Sequence, residues 1–276
     1  MKQGSIVERV IHRLVKKHIS GPTMGSAIDR AKRFNEKGIP ASITFISNNP
    51  QTKPKAAYIT TTYMQLIREI ARMGITASVH LQLDQLGAEL SGDFAIKNLQ
   101  SILEVSRKCG VFVWCEIKDH LRDAEVISRI DGAKGFGVAL PNIEHGIEFA
   151  RLHRHVRQLK VSCKEDHAEN ARLKDPLSGI ETIAKSAGNL VLLSLKESDA
   201  AKLVRKNPKY RKSLIFEFQL GYGDRKIGRM MRKGARLSMF IPFGKDWESY
   251  AINNVPEGYT RLLANRLLAE GKAEGA

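Results

Sequence analysis

Eight short runs rich in β-branched and aromatic residues alternate with longer amphipathic segments, and this alternation constrains the fold more than any other feature of the chain. Each run has the length of one strand, and each segment between two runs is long enough for a crossover helix. Neighbouring parallel strands need such a crossover, so the pattern predicts a parallel sheet. The predicted strands are Ile39–Ile46, Ile75–Leu83, Val111–Ile117, Lys134–Leu140, Val156–Cys163, Asn189–Leu195, Ser213–Gln219 and Ala235–Ile241.

Eight strand–helix units in about 230 residues predict an α/β fold, a single (β/α)8 barrel of the TIM type with helices at both termini. The alternative is an open doubly wound sheet, which typically carries a glycine-rich turn after its first strand. The residues after the first predicted strand, Ile46–Pro50, contain no glycine. We therefore prefer the barrel, with residues 1–38 as a helical lead-in, 39–268 as the barrel and 269–276 as a flexible tail.

Composition indicates a folded protein of a reducing compartment. Of the 276 residues, 42% are hydrophobic and 27% are charged, which is typical of folded chains and not of disordered ones. The three cysteines form no Cys-x-x-Cys pair, and their odd number argues against a disulfide framework. No apolar run approaches the length of a membrane-spanning helix, and Met1–Val10 is charged. We expect a cytoplasmic protein, with peripheral contact to the inner face of the membrane as an extension of that expectation.

The chain is strongly basic, with 45 Lys and Arg against 29 Asp and Glu and a formal net charge of +16. Much of the excess lies between Lys202 and Arg236. The spacing of these cations fits two solvated helix faces beside the seventh strand, which is the default interpretation. Contact with an anionic membrane is the functional alternative. Sequence-specific nucleic-acid recognition is least favoured, because few aromatic residues stand among the cations and no known motif is present.

Chemistry in such a barrel is expected at the carboxyl ends of the strands. Those ends carry an unusual number of charged and amide side chains of both signs. They comprise Asp84 and Gln85, Glu116, Asn142, Lys160–Glu165, Lys196 and Glu197, Glu217 and Gln219, followed by Pro242–Gly244.

Two late segments are more specific than this pattern. Phe216–Gly223 reads FEFQLGYG, and Phe240–Tyr250 reads FIPFGKDWESY. In this order and spacing they resemble motifs of the flavin-dependent proline dehydrogenases. Arg157–Glu165 and Leu83–Gly87 resemble two further motifs of that family, so that the resemblance covers about residues 18 to 260. It implies a (β/α)8 barrel, in agreement with the strand count.

The resemblance also implies FAD on the barrel rim and a cyclic secondary amine as substrate. The reaction would be hydride transfer from the carbon next to nitrogen to flavin N5, giving an imine, with the electrons passed to a quinone. Cations near a reduced flavin stabilise its negative charge. The residues that match catalytic positions are Arg157, Lys160 and Tyr250, and the cofactor-binding set is Arg157, Lys160, Lys196, Gln219 and Glu257.

The expected substrate position departs from the family. Its paired arginines, which hold the proline carboxylate, fall on Asn253 and Asn254, and its assisting lysine falls on Gln82. A carboxylate away from water favours charged, bidentate partners, which asparagine does not supply. Three functional hypotheses stay open: oxidation of proline or a closely related amine, oxidation of an amine without a carboxylate, or a non-catalytic binding module. The expected substrate-binding residues are Gln82, Phe240, Tyr250, Asn253 and Asn254.

Other motif searches add little. The chain contains no phosphate-binding glycine loop, and His153, His155, Asp166 and His167 give only weak metal signals, so no metal site is predicted. Cys163 is interpreted as a buried apolar cysteine rather than a reactive one. The family's aspartate on the third strand appears here as Trp114.

Overall fold

Eight parallel strands close into a barrel in the order of the chain, each paired with its two sequence neighbours and β8 paired with β1. The computed structural model describes residues 18–118, 135–163, 175–206, 212–221 and 224–246. The predicted (β/α)8 barrel is thus confirmed. The strands are β1 Ala41–Phe45, β2 Ala77–Gln82, β3 Val113–Glu116, β4 Phe136–Leu140, β5 Gln158–Ser162, β6 Asn189–Leu193, β7 Leu214–Gln219 and β8 Arg236–Phe243.

One described helix precedes the first strand and the others lie between consecutive strands, and the beginnings of several follow local capping chemistry. The side chains of Thr23, Thr52 and Ser91 each accept a hydrogen bond from a backbone N–H in the first turn of the helix that follows. The helices are α1 Met24–Asn35, α2 Lys53–Arg72, α3 Gly92–Cys109, α4 Ile143–Leu152, α5 Pro176–Ser186, α6 Glu197–Lys206 and α7 Asp224–Arg232, with a short 3-10 turn at Leu83–Leu86.

The observed strands are mostly one to two residues shorter at an end than predicted, because the apolar runs continue into the loops. The last strand is the exception, since β8 extends to Phe243. The C-terminal helix, the flexible tail and the first part of the lead-in lie outside the described residues.

The main core lies between the barrel wall and the helices. Alternate residues of the strands face away from the barrel axis, towards the helices that cover them. Leu159 and Val161 of β5 are examples, and both are fully buried. Helix α2 covers this surface with Ile59, Leu66 and Ile67, each also fully buried. Burying one such side chain contributes roughly 1.5–3 kcal/mol, so this layer dominates the stability of the barrel.

The segment before α1 is joined to the end of β8. The backbone N–H of Ser20 donates to the carbonyl of Pro242 at 2.9 Å, and that of Gly244 donates to Gly21 at 3.1 Å. Helix α1 then packs against β8 and β1, where the barrel closes. No helix in the described ranges is long and apolar enough to span a bilayer.

Candidate active site

A buried ion pair lies inside the barrel. The Lys160 ammonium on β5 is 2.9 Å from Glu217 Oε2 on β7, and it also donates to Ser42 Oγ at 3.0 Å. Both charged side chains are 1% exposed. The sequence placed Lys160 and Glu217 on the carboxyl rim, which is wrong. Position along the strand explains the difference, since Lys160 is the middle residue of β5 and Glu217 lies two residues before the end of β7. Strand alternation turns Lys160 inward, because Leu159 and Val161 on either side of it face the helices.

The ion pair continues into a second pair towards the carboxyl end. Lys160 Nζ lies 3.4 Å from His80 Nδ1, and His80 Nε2 lies 2.9 Å from Glu116 Oε2. An ammonium can only donate, so Nδ1 accepts and Nε2–H donates to Glu116. Gln82 Nε2 donates to the other Glu116 oxygen at 3.3 Å. We call Lys160, Glu217, His80 and Glu116 the interior network.

Burial and mutual charge set the ionisation of this network. Burial lowers the pKa of Lys160, and the nearby Glu217 carboxylate opposes that change. Burial, together with the positive charge of Lys160, lowers the pKa of His80. Burial alone would raise the pKa of Glu116, but the hydrogen bonds from His80 and Gln82 with the neighbouring positive charge leave it lowered. A neutral His80 between a cation and a carboxylate is the state that follows.

Two aromatic rings lie next to the ammonium of Lys160. Its Nζ is 5.0 Å from the centre of the Trp114 ring and 5.8 Å from that of Phe240. Phe240 also meets the His80 ring edge-on, with centroids 5.2 Å apart. Gly137 on β4 makes room for the indole, because a Cβ there would lie 2.5 Å from Trp114 Cζ3. Cation–π contacts of this kind favour a charged lysine in a water-poor interior.

The carboxyl end of the barrel gathers further polar side chains. Glu116, with 24% of its side chain exposed, is the outermost member of the interior network. Gln219 ends β7 and is half-buried, and Lys196 lies exposed in the turn after β6. That turn passes through Ser194, which has a left-handed backbone (φ 62°). Lys160, Lys196 and Gln219 therefore come from three adjacent strands.

Arg157 is not brought to this end. It directly precedes the first residue of β5, at the amino end of the barrel, and its side chain is exposed. Its carbonyl accepts hydrogen bonds from the N–H groups of Gly188 and Asn189 at 2.8 and 3.0 Å. The structure therefore separates Arg157 from Lys160, although the sequence motif joins them. The other predicted residues, Tyr250, Asn253, Asn254 and Glu257, lie outside the described residues.

Sequence reasoning missed His80 and Ser42, which complete the interior network. Strand alternation carried the signal, because His80 lies two residues before Gln82 on the same face of β2. Sequence reasoning also assigned no role to the Leu83–Gly87 motif. The structure gives Gln85 a local one: it accepts from Tyr63 Oη at 2.8 Å and donates to the Phe45 carbonyl at 3.1 Å, fixing the loop after β1.

The described residues hold no group of three His, Cys, Asp or Glu side chains placed to bind a metal ion. Cys163 is buried, and burial raises the pKa of its thiol. The thiol is therefore protonated at neutral pH, as expected for a cysteine that serves packing.

The sequence is similar to known proteins over most of its length, although no family model matches it. It is 24% identical over 259 residues to proline dehydrogenase 1 of Bacillus subtilis subsp. natto, covering 88% of this chain and 86% of that protein. It is 20% identical over 268 residues to proline dehydrogenase of Deinococcus radiodurans, with 88% and 86% covered. The chain is a divergent relative of the proline dehydrogenases.

The structural comparison agrees with this relationship. Proline utilization A from Bdellovibrio bacteriovorus, in a form inactivated by N-propargylglycine, superposes with a TM-score of 0.70 at 13% identity. The match covers 94% of this chain and 33% of that larger chain. At this identity the likeness shows the fold. The resemblance to proline dehydrogenases inferred from the motifs is confirmed by the sequence comparison.

Proposed function

We propose that this protein is an FAD-dependent oxidoreductase that oxidises proline, or a closely related cyclic secondary amine, to the imine. One observation carries the proposal: a buried cation, Lys160, lies inside a barrel whose sequence is related to proline dehydrogenases over 88% of the chain. FAD, when bound, supplies the acceptor for the hydride that leaves the carbon next to the substrate nitrogen.

The donors inside the barrel and at its carboxyl end fit a flavin. A reduced flavin carries negative charge and ring atoms that accept hydrogen bonds, so cations and amide N–H groups suit it. Lys160 supplies an interior cation, Lys196 an exposed one and Gln219 an amide, all from adjacent strands. Glu217 holds the Lys160 ammonium in place and Ser238 donates to Glu217 at 3.2 Å, so this cation is oriented before any ligand binds.

The residues at the proposed substrate position differ from those that the family uses to bind proline. Gln82 and Phe240 lie on β2 and β8, on either side of β1, and both touch the interior network. Phe240 offers an apolar face to a ring, and Gln82 positions the Glu116 carboxylate. Asn253 and Asn254 fall where the family has arginines, and an asparagine amide can offer only neutral hydrogen bonds. This exchange favours proline less strongly than the family pattern does, and it supports the alternative of an amine without a carboxylate.

Two further parts of the proposal concern where the electrons go. We propose a quinone-type acceptor and peripheral contact with an anionic membrane, in which such acceptors dissolve. The support is the net charge of +16 and the basic stretch between Lys202 and Arg236.

The test is a visible spectrum of the purified protein before and after anaerobic proline. A flavin band near ~450 nm that bleaches with proline supports the proposal. A band that bleaches only with pyrrolidine or prolinamide identifies an amine oxidase that does not need the carboxylate. A colourless protein that takes up no added FAD contradicts both enzyme readings and leaves a binding module.

A matched pair of variants tests which cation serves the flavin. Lys160→Met removes the buried cation, and Arg157→Met removes the exposed one at the opposite end. If Lys160 is the flavin cation, loss of its positive charge in the first variant lowers FAD affinity at least about tenfold, and the second variant leaves it unchanged. The reverse result would restore the role that the motif gives to Arg157. Circular dichroism checks that both variants fold.

A further inference from the structure

The amino-terminal mouth of the barrel, where the strands begin, contains a cavity of its own. Its volume is about 490 Å³, within the range of small-molecule pockets. Apolar side chains supply most of the wall, among them Ile39, Phe112, Met231 and Leu237. The cavity extends inward to Trp114 and Glu217, so it approaches the interior network from the end opposite to the carboxyl rim.

Basic side chains surround this mouth. Each described helix runs back along the barrel and ends near the start of the next strand, and each of the seven carries at least one Lys or Arg in its last four residues. The described residues of these last turns and of the connections to the next strands hold two acidic residues, Glu36 and Glu69. We call this surface the basic ring; exposed members around its circumference are Arg33, Arg107, Arg151, Arg154, Arg232 and Lys233.

The opposite end of the same helices has a different charge. First turns carry acids such as Asp93, Glu144 and Asp199, which stabilise helix N-termini just as cations stabilise C-termini. Because the described helices all point the same way, these local preferences add up to a difference in charge between the two ends of the barrel. The described last turns and the connections after them therefore carry an excess of positive charge at one end of the barrel, and this excess extends beyond the stretch from Lys202 to Arg236.

We propose that the amino-terminal mouth binds anionic lipid at a bilayer surface, with lipid phosphates on the basic ring and an apolar chain in the cavity. The inference rests on the membrane contact proposed above and gives it a location. Charge alone would suit a nucleic acid equally well. The apolar features decide for lipid: the cavity lies at the centre of the ring, and Leu152 and Met231 on the same end are 51% and 39% exposed.

Helix α7 carries basic residues of the Lys202–Arg236 stretch at both of its ends, and only one of these ends belongs to the basic ring. Arg232 and Lys233 lie at its amino-mouth end, whereas Arg225 and Lys226 lie in its first turn, at the carboxyl end of the barrel. All four side chains are exposed. Charge reversal of either pair changes the total charge equally, so the two double variants form a matched test.

The first experiment is co-sedimentation with vesicles of neutral phosphatidylcholine alone or mixed with anionic phosphatidylglycerol. We expect binding to the anionic vesicles only, weakened by salt. Arg232→Glu with Lys233→Glu should reduce binding at least about tenfold, and so should Arg151→Glu with Arg154→Glu elsewhere on the ring. Arg225→Glu with Lys226→Glu should reduce it less. Equal loss in all three variants, or binding to duplex nucleic acid but not to vesicles, overturns the proposal.

The second experiment tests the cavity. Trp247→Phe leaves Trp114, at the inner end of the cavity, as the single tryptophan. Anionic vesicles whose acyl chains are brominated should quench Trp114 fluorescence, and Ala235→Leu, which fills the cavity, should remove that quenching while the protein still sediments. If Trp114 fluorescence is not quenched in vesicle-bound protein, the lipid acyl chain does not enter the cavity and this part of the proposal is wrong. Neither readout needs flavin, so a colourless protein that binds these vesicles would refute the proposed activity and keep this inference.

Discussion

At the scale of single residues, the barrel interior depends on one buried charge pair. Lys160 and Glu217 are nearly inaccessible to water, and Ser42 and Ser238 donate to or accept from them. Two charges in such a place are stable only together, because desolvation of either one alone is expensive. Replacing either residue alone is therefore expected to destabilise the protein, whatever ligand binds at the carboxyl end.

This dependence predicts the outcome of breaking the pair. Glu217→Gln leaves the Lys160 ammonium buried without its carboxylate and should lower the free energy of unfolding by about 3–5 kcal/mol. Lys160→Met combined with Glu217→Leu leaves no charge and should cost less than the single change. Urea unfolding followed by circular dichroism measures both. A double variant less stable than Glu217→Gln would contradict the argument.

His80 predicts an effect of pH. Its pKa is lowered in the folded protein, so below pH ~6.5 the unfolded chain binds a proton that the folded protein does not. The stability present above pH ~6.5 is therefore lost as the pH falls towards the lowered pKa. The Glu116 carboxyl, also with a lowered pKa, contributes at more acid pH. Urea unfolding at pH 7.5 and 5.5 should show this loss, reduced in His80→Gln and unchanged in the exposed control His155→Gln.

At the scale of elements, β3 and β4 pack closely because a large side chain on β3 lies opposite a glycine on β4. The Trp114 indole lies over the position where a side chain of Gly137 would be, and Gly137 pairs with Trp114 in the strand register. Without the glycine, the indole would have to leave the Lys160 ammonium. The same two residues thus join the packing of neighbouring strands to the electrostatics of the site.

Gly137→Ala should therefore destabilise the barrel by about 1–3 kcal/mol through overpacking. Trp114→Leu in the same chain should restore part of the loss, because the smaller side chain leaves space for the new methyl group. Thermal unfolding of the two single variants and the double variant measures the coupling. Strictly additive losses would show that the indole is not what the methyl group meets.

At the scale of the whole molecule, the parallel arrangement of the helices turns local capping preferences into a charged end. Cations collected there repel one another, and salt screens that repulsion. The same arrangement puts the candidate active site and the basic ring at opposite ends of the barrel, so a surface bound at the ring leaves the carboxyl end open.

Raising sodium chloride from about 20 to 300 mM should increase the midpoint of thermal unfolding, because the screening length falls below the spacing of many of the cations. Replacing Arg232 and Lys233 with glutamine should raise the midpoint at low salt and reduce its response to salt. Sorbitol at matched osmolality is the control for general solute effects. A midpoint that falls with salt would show that attractive ion pairs outweigh the repulsion.

The site was only partly predictable from the sequence. Lys160, Gln82 and Phe240 were found from motifs, and the structure brings them to one network. The motif placed Arg157 beside Lys160, yet Arg157 lies just before β5 and Lys160 lies in its middle. Residues three apart on a strand face opposite sides and lie ~10 Å apart along it, a separation that a motif does not display.

The sequence by itself determined the eight-stranded barrel, because the spacing of apolar residues in each segment is a local property that only a strand or a helix can satisfy. It also determined the excess of positive charge. Only the tertiary structure decided which charges meet. The partners of Lys160 come from β1, β2 and β7, far apart in the chain, and barrel closure alone brings them within hydrogen-bonding distance. The basic ring has the same origin, since it forms only when the described helices pack around the barrel in the same direction.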